Sequence, residues 1–93
     1  MMNNGMKKFP FQQIEVDEKE IITNIGMNIH NVRTKKNISV RMLALQAGVE
    51  ERYLYRIENG ERCAKIMTII RVAKALDMDI NDLVNGTFDN EKI

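Results

Sequence analysis

The chain alternates stretches of helically spaced apolar residues with short breaks that are polar or contain glycine. The longest stretch predicts one buried face of an amphipathic helix, because its apolar residues recur three and four positions apart. These residues are Ile21, Ile22, Ile25, Ile29 and Val32. Asp17, followed three residues later by Glu20, predicts the start of this helix through a capping box. Asn37, which follows two lysines, predicts its end in a left-handed turn.

Four shorter helices are predicted after the first one. Ser39 is a suitable N-cap for a second helix, Val40–Ala47, which Gly48 ends. A third helix, Glu50–Asn59, ends at Gly60. The apolar positions of the fourth helix are Ile66, Ile69, Ile70, Ala73 and Leu76, and those of the fifth, after the N-cap Asp79, are Ile80, Leu83 and Val84.

These elements predict an all-α fold of five helices in one domain, residues 17–86. Residues 1–16 show no helical period and predict an N-terminal arm or a short edge strand, and residues 87–93 predict a flexible tail. We expect the methionines to fill gaps in the core; they include Met27, Met42, Met67 and Met78.

Composition restricts the chemistry that this domain can perform. The 93 residues are enough for one small domain. The sequence shows no apolar run of the roughly 18 residues that a membrane helix needs and no signal-peptide pattern, so we expect a cytoplasmic protein without a membrane partner. One cysteine and one histidine disfavour a disulfide and a metal site. We therefore expect no cofactor, no metal and no enzymatic activity.

Charge is distributed unevenly along the chain. The net charge is −1 over residues 1–24, +6 over residues 25–76 and −4 over residues 77–93. A basic centre between acidic ends is typical of a protein that binds a polyanion. Charge alone is equally compatible with ordinary solvated helix surface, so both interpretations stay open at this point.

The second and third predicted helices have the spacing of a helix-turn-helix. Ala44 is small enough for two helices to cross closely, and Gly48 accepts the positive φ that a tight turn requires. Val49, Leu54 and Ile57 then provide apolar anchors for the third helix. This combination favours a helix-turn-helix over an ordinary helical hairpin.

Several segments carry a closer resemblance to a known family. The segments “LALQAG”, “IENG” and “AKALDMDINDL” lie between about Ile25 and Val84, and this region resembles the DNA-binding domain of Cro/repressor-type regulators, the XRE family. The resemblance implies a lambda-repressor-like fold whose third helix enters the DNA major groove. It also implies a sequence-specific transcriptional regulator associated with the nucleoid, a repressor that binds double-stranded DNA with two-fold symmetry as a homodimer. A regulatory partner protein is a further expectation.

The resemblance also assigns roles to individual residues. On the third helix it implies outward-facing side chains that contact DNA bases, namely Arg52, Tyr55, Arg56 and Glu51. Contacts to DNA phosphates are expected from Arg41, Asn59, Arg62 and Lys65. Arg33 and Glu58 match a family ion pair that joins the first and third helices. Tyr53 is left with two interpretations, packing beside the first helix or contacting DNA.

Four positions depart from the family pattern. Val40 replaces a glutamine that contacts phosphate, Glu50 replaces a Ser or Thr cap, and Ala64-Lys65 replaces Pro-Ser before the fourth helix. Glu61 stands where a cation often follows “ENG”. These departures weaken the case for ordinary strong operator binding. Val40, Glu51 and Glu61 favour an alternative function, a protein–protein module or antitoxin that uses a helix-turn-helix fold with weak or altered DNA binding.

Overall fold

The computed structural model describes residues 13–85. Within that range the chain forms five α-helices and no strand, so the predicted all-α fold is confirmed. The helices are α1 (Glu18–Lys35), α2 (Val40–Ala47), α3 (Glu51–Glu58), α4 (Ile66–Ala75) and α5 (Ile80–Asn85). Residues 13–17 have no regular secondary structure. Most of the predicted arm or edge strand, and the whole of the predicted tail, lie outside the described residues.

The helix ends follow the local signals of the sequence. The Asp17 carboxylate accepts a hydrogen bond from the Glu20 backbone N–H at 3.1 Å, and the Ser39 hydroxyl accepts one from the Met42 N–H at 3.0 Å. Each bond satisfies one of the backbone donors that a helix start leaves without a partner. Asn37 has φ of 57° after α1, as its position in the sequence predicts.

The core lies where α3 packs between its two neighbours. α1 contacts α3 and α5, while α2 contacts α3 and α4. Every helix contributes side chains that are fully or almost fully buried, among them Ile29 of α1, Leu43 of α2, Leu54 of α3, Val72 of α4 and Leu83 of α5. The apolar face of α3 is therefore covered from two sides, which fixes the direction of its opposite face.

Two expectations about buried residues are wrong. Ile66 is 62% exposed and Ile21 is 39% exposed, because both lie in the first turn of a helix, beyond the region where other helices pack. Three of the methionines expected in the core are about half exposed, namely Met27, Met42 and Met67. Periodicity identifies the buried side of a helix but not how far along its length the neighbouring helices reach.

Gly26 allows α1 to approach α3 unusually closely. A Cβ atom at this position would overlap the carbonyl oxygen of Ile57 and lie 3.0 Å from that of Glu58. Both are backbone atoms, so no side-chain rotation could relieve the overlap. The spacing of apolar residues gives no sign of this requirement.

Asn28 joins α1 to α5 from within the core. Its side-chain amide donates to the Leu83 carbonyl oxygen at 2.6 Å. Leu83 lies in the last turn of a six-residue helix, where backbone carbonyls have no partner inside the helix. Asn28 is itself buried, so the bond satisfies two groups that would otherwise be costly to bury.

We expect Gly26→Ala to lower the free energy of unfolding by about 2 kcal/mol or more, since the overlap with backbone outweighs the better helix propensity of alanine. Urea denaturation followed by circular dichroism measures this change. Asn31→Ala, at an exposed position of the same helix, is the control and should shift stability by less than about 0.5 kcal/mol. Equal stability of the two variants would contradict the close approach.

Candidate nucleic-acid interface

α3 has one buried side and one side of long polar groups. Leu54 and Ile57 are 0% and 1% exposed. Glu51 and Arg52 are exposed on the opposite side, Tyr55 is 56% exposed, and Arg56 is half-buried. The four residues expected to contact DNA bases are thus all accessible, and Arg56 is the most enclosed of them.

Four cations meet in a recess between α3 and the start of α4. This basic recess has a volume of about 290 Å³ and is lined by Glu50, Arg52, Tyr53, Arg56, Arg62 and Lys65. Glu50 is the single acid in its lining. Arginine and lysine side chains gathered around one concave surface are suited to bind an anion such as phosphate.

Tyr53 occupies the inner part of the basic recess. Its hydroxyl oxygen accepts a hydrogen bond from the Lys65 backbone N–H at 3.0 Å. The guanidinium carbon of Arg62 lies 5.7 Å from the centre of the Tyr53 ring, within the range of a cation–π interaction. Tyr53 is half-buried and contacts the start of α4. The sequence left it either packing beside the first helix or contacting DNA, and neither interpretation includes this contact with α4.

A second recess lies between the start of α2 and α3. It has a volume of about 460 Å³, and its lining residues are Val40, Glu50, Glu51, Arg52 and Tyr55. Val40 and Tyr55 give it an apolar side, while Arg52 belongs to both recesses. A ligand bound along the exposed side of α3 would therefore contact Arg52 whichever of the two recesses it occupied.

Two of the expected phosphate contacts lie outside the basic recess. Arg41 is exposed in the first turn of α2, and Asn59 is the exposed C-cap of α3. The Asn59 backbone N–H donates to the Tyr55 carbonyl oxygen at 3.1 Å, which ends the helix. Arg62 and Lys65 therefore lie together in the basic recess. Arg41 and Asn59 lie outside it, at the start of α2 and at the end of α3.

Arg33 and Glu58 form a buried ion pair between α1 and α3. Arg33 Nε lies 2.7 Å from Glu58 Oε2, and Nη2 lies 2.9 Å from Oε1, which is a bidentate arrangement. Arg33 Nη1 donates to the Ile38 carbonyl oxygen at 2.7 Å. The hydrogen bond to Glu58 raises the pKa of the Arg33 guanidinium above its ordinary value. The pair fixes the C-terminal end of α3 against α1.

His30 extends this ion pair, a contact that the sequence pattern does not reveal. Its Nδ1 lies 3.1 Å from Glu58 Oε1 and 3.3 Å from Arg33 Nη2. With a proton on Nδ1 it donates to the carboxylate, and without one it accepts from the guanidinium. His30 follows Gly26 and precedes Arg33 on one face of α1, at the spacing of one helical turn.

The sequence profile of the helix-turn-helix family matches residues 29–83, more than half of the chain. This chain belongs to the helix-turn-helix family. α2 and α3 are the two helices of the motif, joined at Gly48, whose φ is 72°. Members of the family are DNA-binding transcription regulators. Among curated protein sequences, none matches this chain significantly.

Solved structures of family regulators share the fold. C.AhdI from Aeromonas hydrophila, a restriction-modification controller protein, is 29% identical and has a TM-score of 0.65; the match covers 67% of this chain and 94% of C.AhdI. ClgR, the clp gene regulator from C. glutamicum, is 20% identical with a TM-score of 0.69, covering 78% of this chain and 95% of ClgR.

A third structure is longer than this chain. The HTH_3 family transcriptional regulator from Vibrio cholerae is 24% identical with a TM-score of 0.70, and the match covers 80% of this chain but 39% of the Vibrio protein. At their level of identity, ClgR and the Vibrio regulator show the fold alone.

No group of three or more His, Cys, Asp or Glu residues within residues 13–85 could hold a metal ion. None of the helices described is long and apolar enough to cross a membrane. The four cations of the basic recess are the group of side chains best suited to bind an anionic ligand.

We expect Glu58→Gln to lower the free energy of unfolding by about 3 kcal/mol, because the Arg33 charge would stay buried without its counter-ion. Denaturation in urea at neutral pH measures the loss. Glu61→Gln, an exposed change of the same kind a few residues away, should cost less than about 0.5 kcal/mol. A Glu58→Gln protein as stable as the Glu61→Gln protein would show that the pair does not hold α3.

Proposed function

We propose that this chain is a sequence-specific DNA-binding transcriptional regulator that represses by occupying a two-fold operator as a homodimer. The observation that carries the proposal is the position of Arg52, which is exposed on α3 opposite the buried Leu54 and Ile57 and borders the basic recess. A recognition helix needs this combination of an anchored side and a side of long polar groups. The likeness to C.AhdI, a controller protein, is in keeping with a regulatory role.

In this proposal the exposed side of α3 reads base edges in the major groove. Arg52 and Arg56 carry the main contacts, since a guanidinium can donate to guanine O6 and N7 together. Tyr55 packs on a thymine methyl group or donates to a phosphate, and Glu51 accepts from cytosine N4. Because Arg56 is half-buried whereas Arg52 is exposed, its reach to the bases is shorter than that of Arg52.

Phosphate contacts position the domain along the duplex. Arg62 and Lys65 bind one phosphate region through the basic recess, while Arg41 and Asn59 bind at the start of α2 and the end of α3. Such contacts carry no sequence information, but they provide most of the affinity. The net charge of +6 over residues 25–76 favours this role.

Two copies of the domain would place their α3 helices about 34 Å apart, in successive major grooves. Two candidate dimer surfaces follow from the sequence, the N-terminal arm of residues 1–16 and the fifth helix with Ile80, Val84 and Phe88. Ile80 and Val84 are half-buried in the single chain, and Phe88 lies outside the described residues.

Repression would result from the bound dimer blocking polymerase, in a nucleoid-associated protein that needs no cofactor. A partner protein is a further means of regulation.

A protein–protein module is the second candidate. Val40, Glu50 and Glu51 line the recess beside α2, so two acids and an apolar residue occupy a surface that DNA would have to approach. Leu45 and Met42, three positions apart on α2, are also 75% and 46% exposed, and neighbouring exposed apolar side chains suit a protein partner. An antitoxin that binds its toxin through α2 would fit these observations.

Binding of the full chain to a random-sequence DNA duplex at two salt concentrations tests the proposed function. We expect binding at low salt and a steep loss of affinity as salt rises, since each phosphate contact releases counterions and contributes about −0.9 to the logarithmic slope. Fluorescence anisotropy with labelled duplex measures both quantities. Lack of binding at low salt would reject DNA recognition and favour the protein–protein module.

A further inference from the structure

We propose that Tyr53 is a positioning residue for the phosphate contacts of Arg62 and Lys65, and that its hydroxyl donates its own proton to the same phosphate. This inference rests on the proposed DNA binding. It assigns a function to a half-buried tyrosine that packs against the edge of the core. The basic recess thereby becomes a built anion site rather than a chance cluster of surface cations.

The hydrogen-bonding capacity of the Tyr53 hydroxyl is only partly used. A phenol can donate one hydrogen bond and accept others. The Lys65 backbone N–H, at 3.0 Å, occupies an acceptor position of the oxygen. Among residues 13–85, no protein group accepts the hydroxyl proton. A bond accepted from an amide also polarises the hydroxyl and makes it a better donor. A phosphate oxygen in the basic recess would accept this proton in place of solvent.

The Lys65 bond also fixes the start of α4. Lys65 is the N-cap residue of that helix, but no side chain caps the helix start. The sequence lacks the Ser that usually caps this helix in the family, so the loop from Glu61 to Lys65 has lost one local restraint. The Tyr53 hydroxyl provides a substitute by joining α3 to the end of this loop. Lys65 therefore keeps a constant position relative to Arg52 and Arg56.

The aromatic ring of Tyr53 orients Arg62. Its guanidinium carbon lies 5.7 Å from the centre of the Tyr53 ring, so the ring attracts the cation through its face. A guanidinium packed on an aromatic face keeps its N–H groups free to donate to a phosphate. One side chain thus orients two phosphate-binding residues, through its ring and its hydroxyl separately.

The two roles of Tyr53 can be separated by substitution. Tyr53→Phe keeps the ring under Arg62 and removes the hydroxyl, whereas Tyr53→Leu removes both restraints while keeping an apolar side chain. Lys74→Ala is the matched control, because Lys74 is an exposed cation in the last turn of α4, at the other end of the helix from Lys65. Circular dichroism establishes that each variant is folded at the temperature of the assay.

The test is binding of these variants to random-sequence duplex DNA as a function of salt. We expect Tyr53→Phe to weaken binding about tenfold or more, as for the loss of one hydrogen bond to a charged group. The salt slope should become shallower by about 0.9, because a displaced Lys65 would no longer neutralise its phosphate. Tyr53→Leu should reduce the slope by about twice as much, because Arg62 is released as well. Lys74→Ala should match the unmodified protein in both quantities.

A double-mutant cycle separates positioning from simple packing. In a Lys65→Ala background, Tyr53→Phe should leave the salt slope unchanged and have a smaller effect on affinity, because the charge that it positions is already gone and only the bond of the hydroxyl to the phosphate is lost. Unchanged affinity and slope in Tyr53→Phe would overturn the inference while leaving the proposed function intact. A weaker Tyr53→Phe protein with the original slope, and effects that add to those of Lys65→Ala, would also overturn it. An unmodified protein that does not bind DNA would reject the proposed function and this inference together.

Discussion

The contact between α1 and α3 is the constraint on which the rest of the structure depends. α3 has eight residues, fewer than an isolated helix needs to be stable in water. It is helical because its neighbours hold it, and Gly26 lets α1 reach its backbone while the Arg33–Glu58 pair fixes its end. The direction of its exposed side, and with it the position of Arg52, follows from this contact.

The helix boundaries could be predicted from the sequence because their causes are local. Asp17 and Ser39 each bond a backbone N–H three residues later, and Gly48 adopts its positive φ within one turn. The buried side of α3 followed from the spacing of Leu54 and Ile57, whereas the residues of its outward side were predicted from the family resemblance. The identities of the base and phosphate contacts remain predictions, since they depend on a ligand.

Other features could not be predicted because they join residues far apart in the chain. Gly26 meets Ile57, and Asn28 meets Leu83, contacts that no helical period reveals. Tyr53 reaches Lys65 only because a loop returns the chain to the start of α3. The exposure of the methionines could not be predicted for a related reason. How much of a helix its neighbours cover is a property of the packed structure and not of the helix's own sequence.

Selecting bound sites from a random DNA pool tests most directly whether the exposed side of α3 reads bases. We expect the unmodified protein to select a sequence with two-fold symmetry, and Arg52→Ala and Arg56→Ala to relax the preference at one or two positions of each half-site. Lys65→Ala should weaken binding to all sequences alike. Arginine variants that lose affinity without any change in preference, or a protein that selects no sequence, would contradict this role for α3.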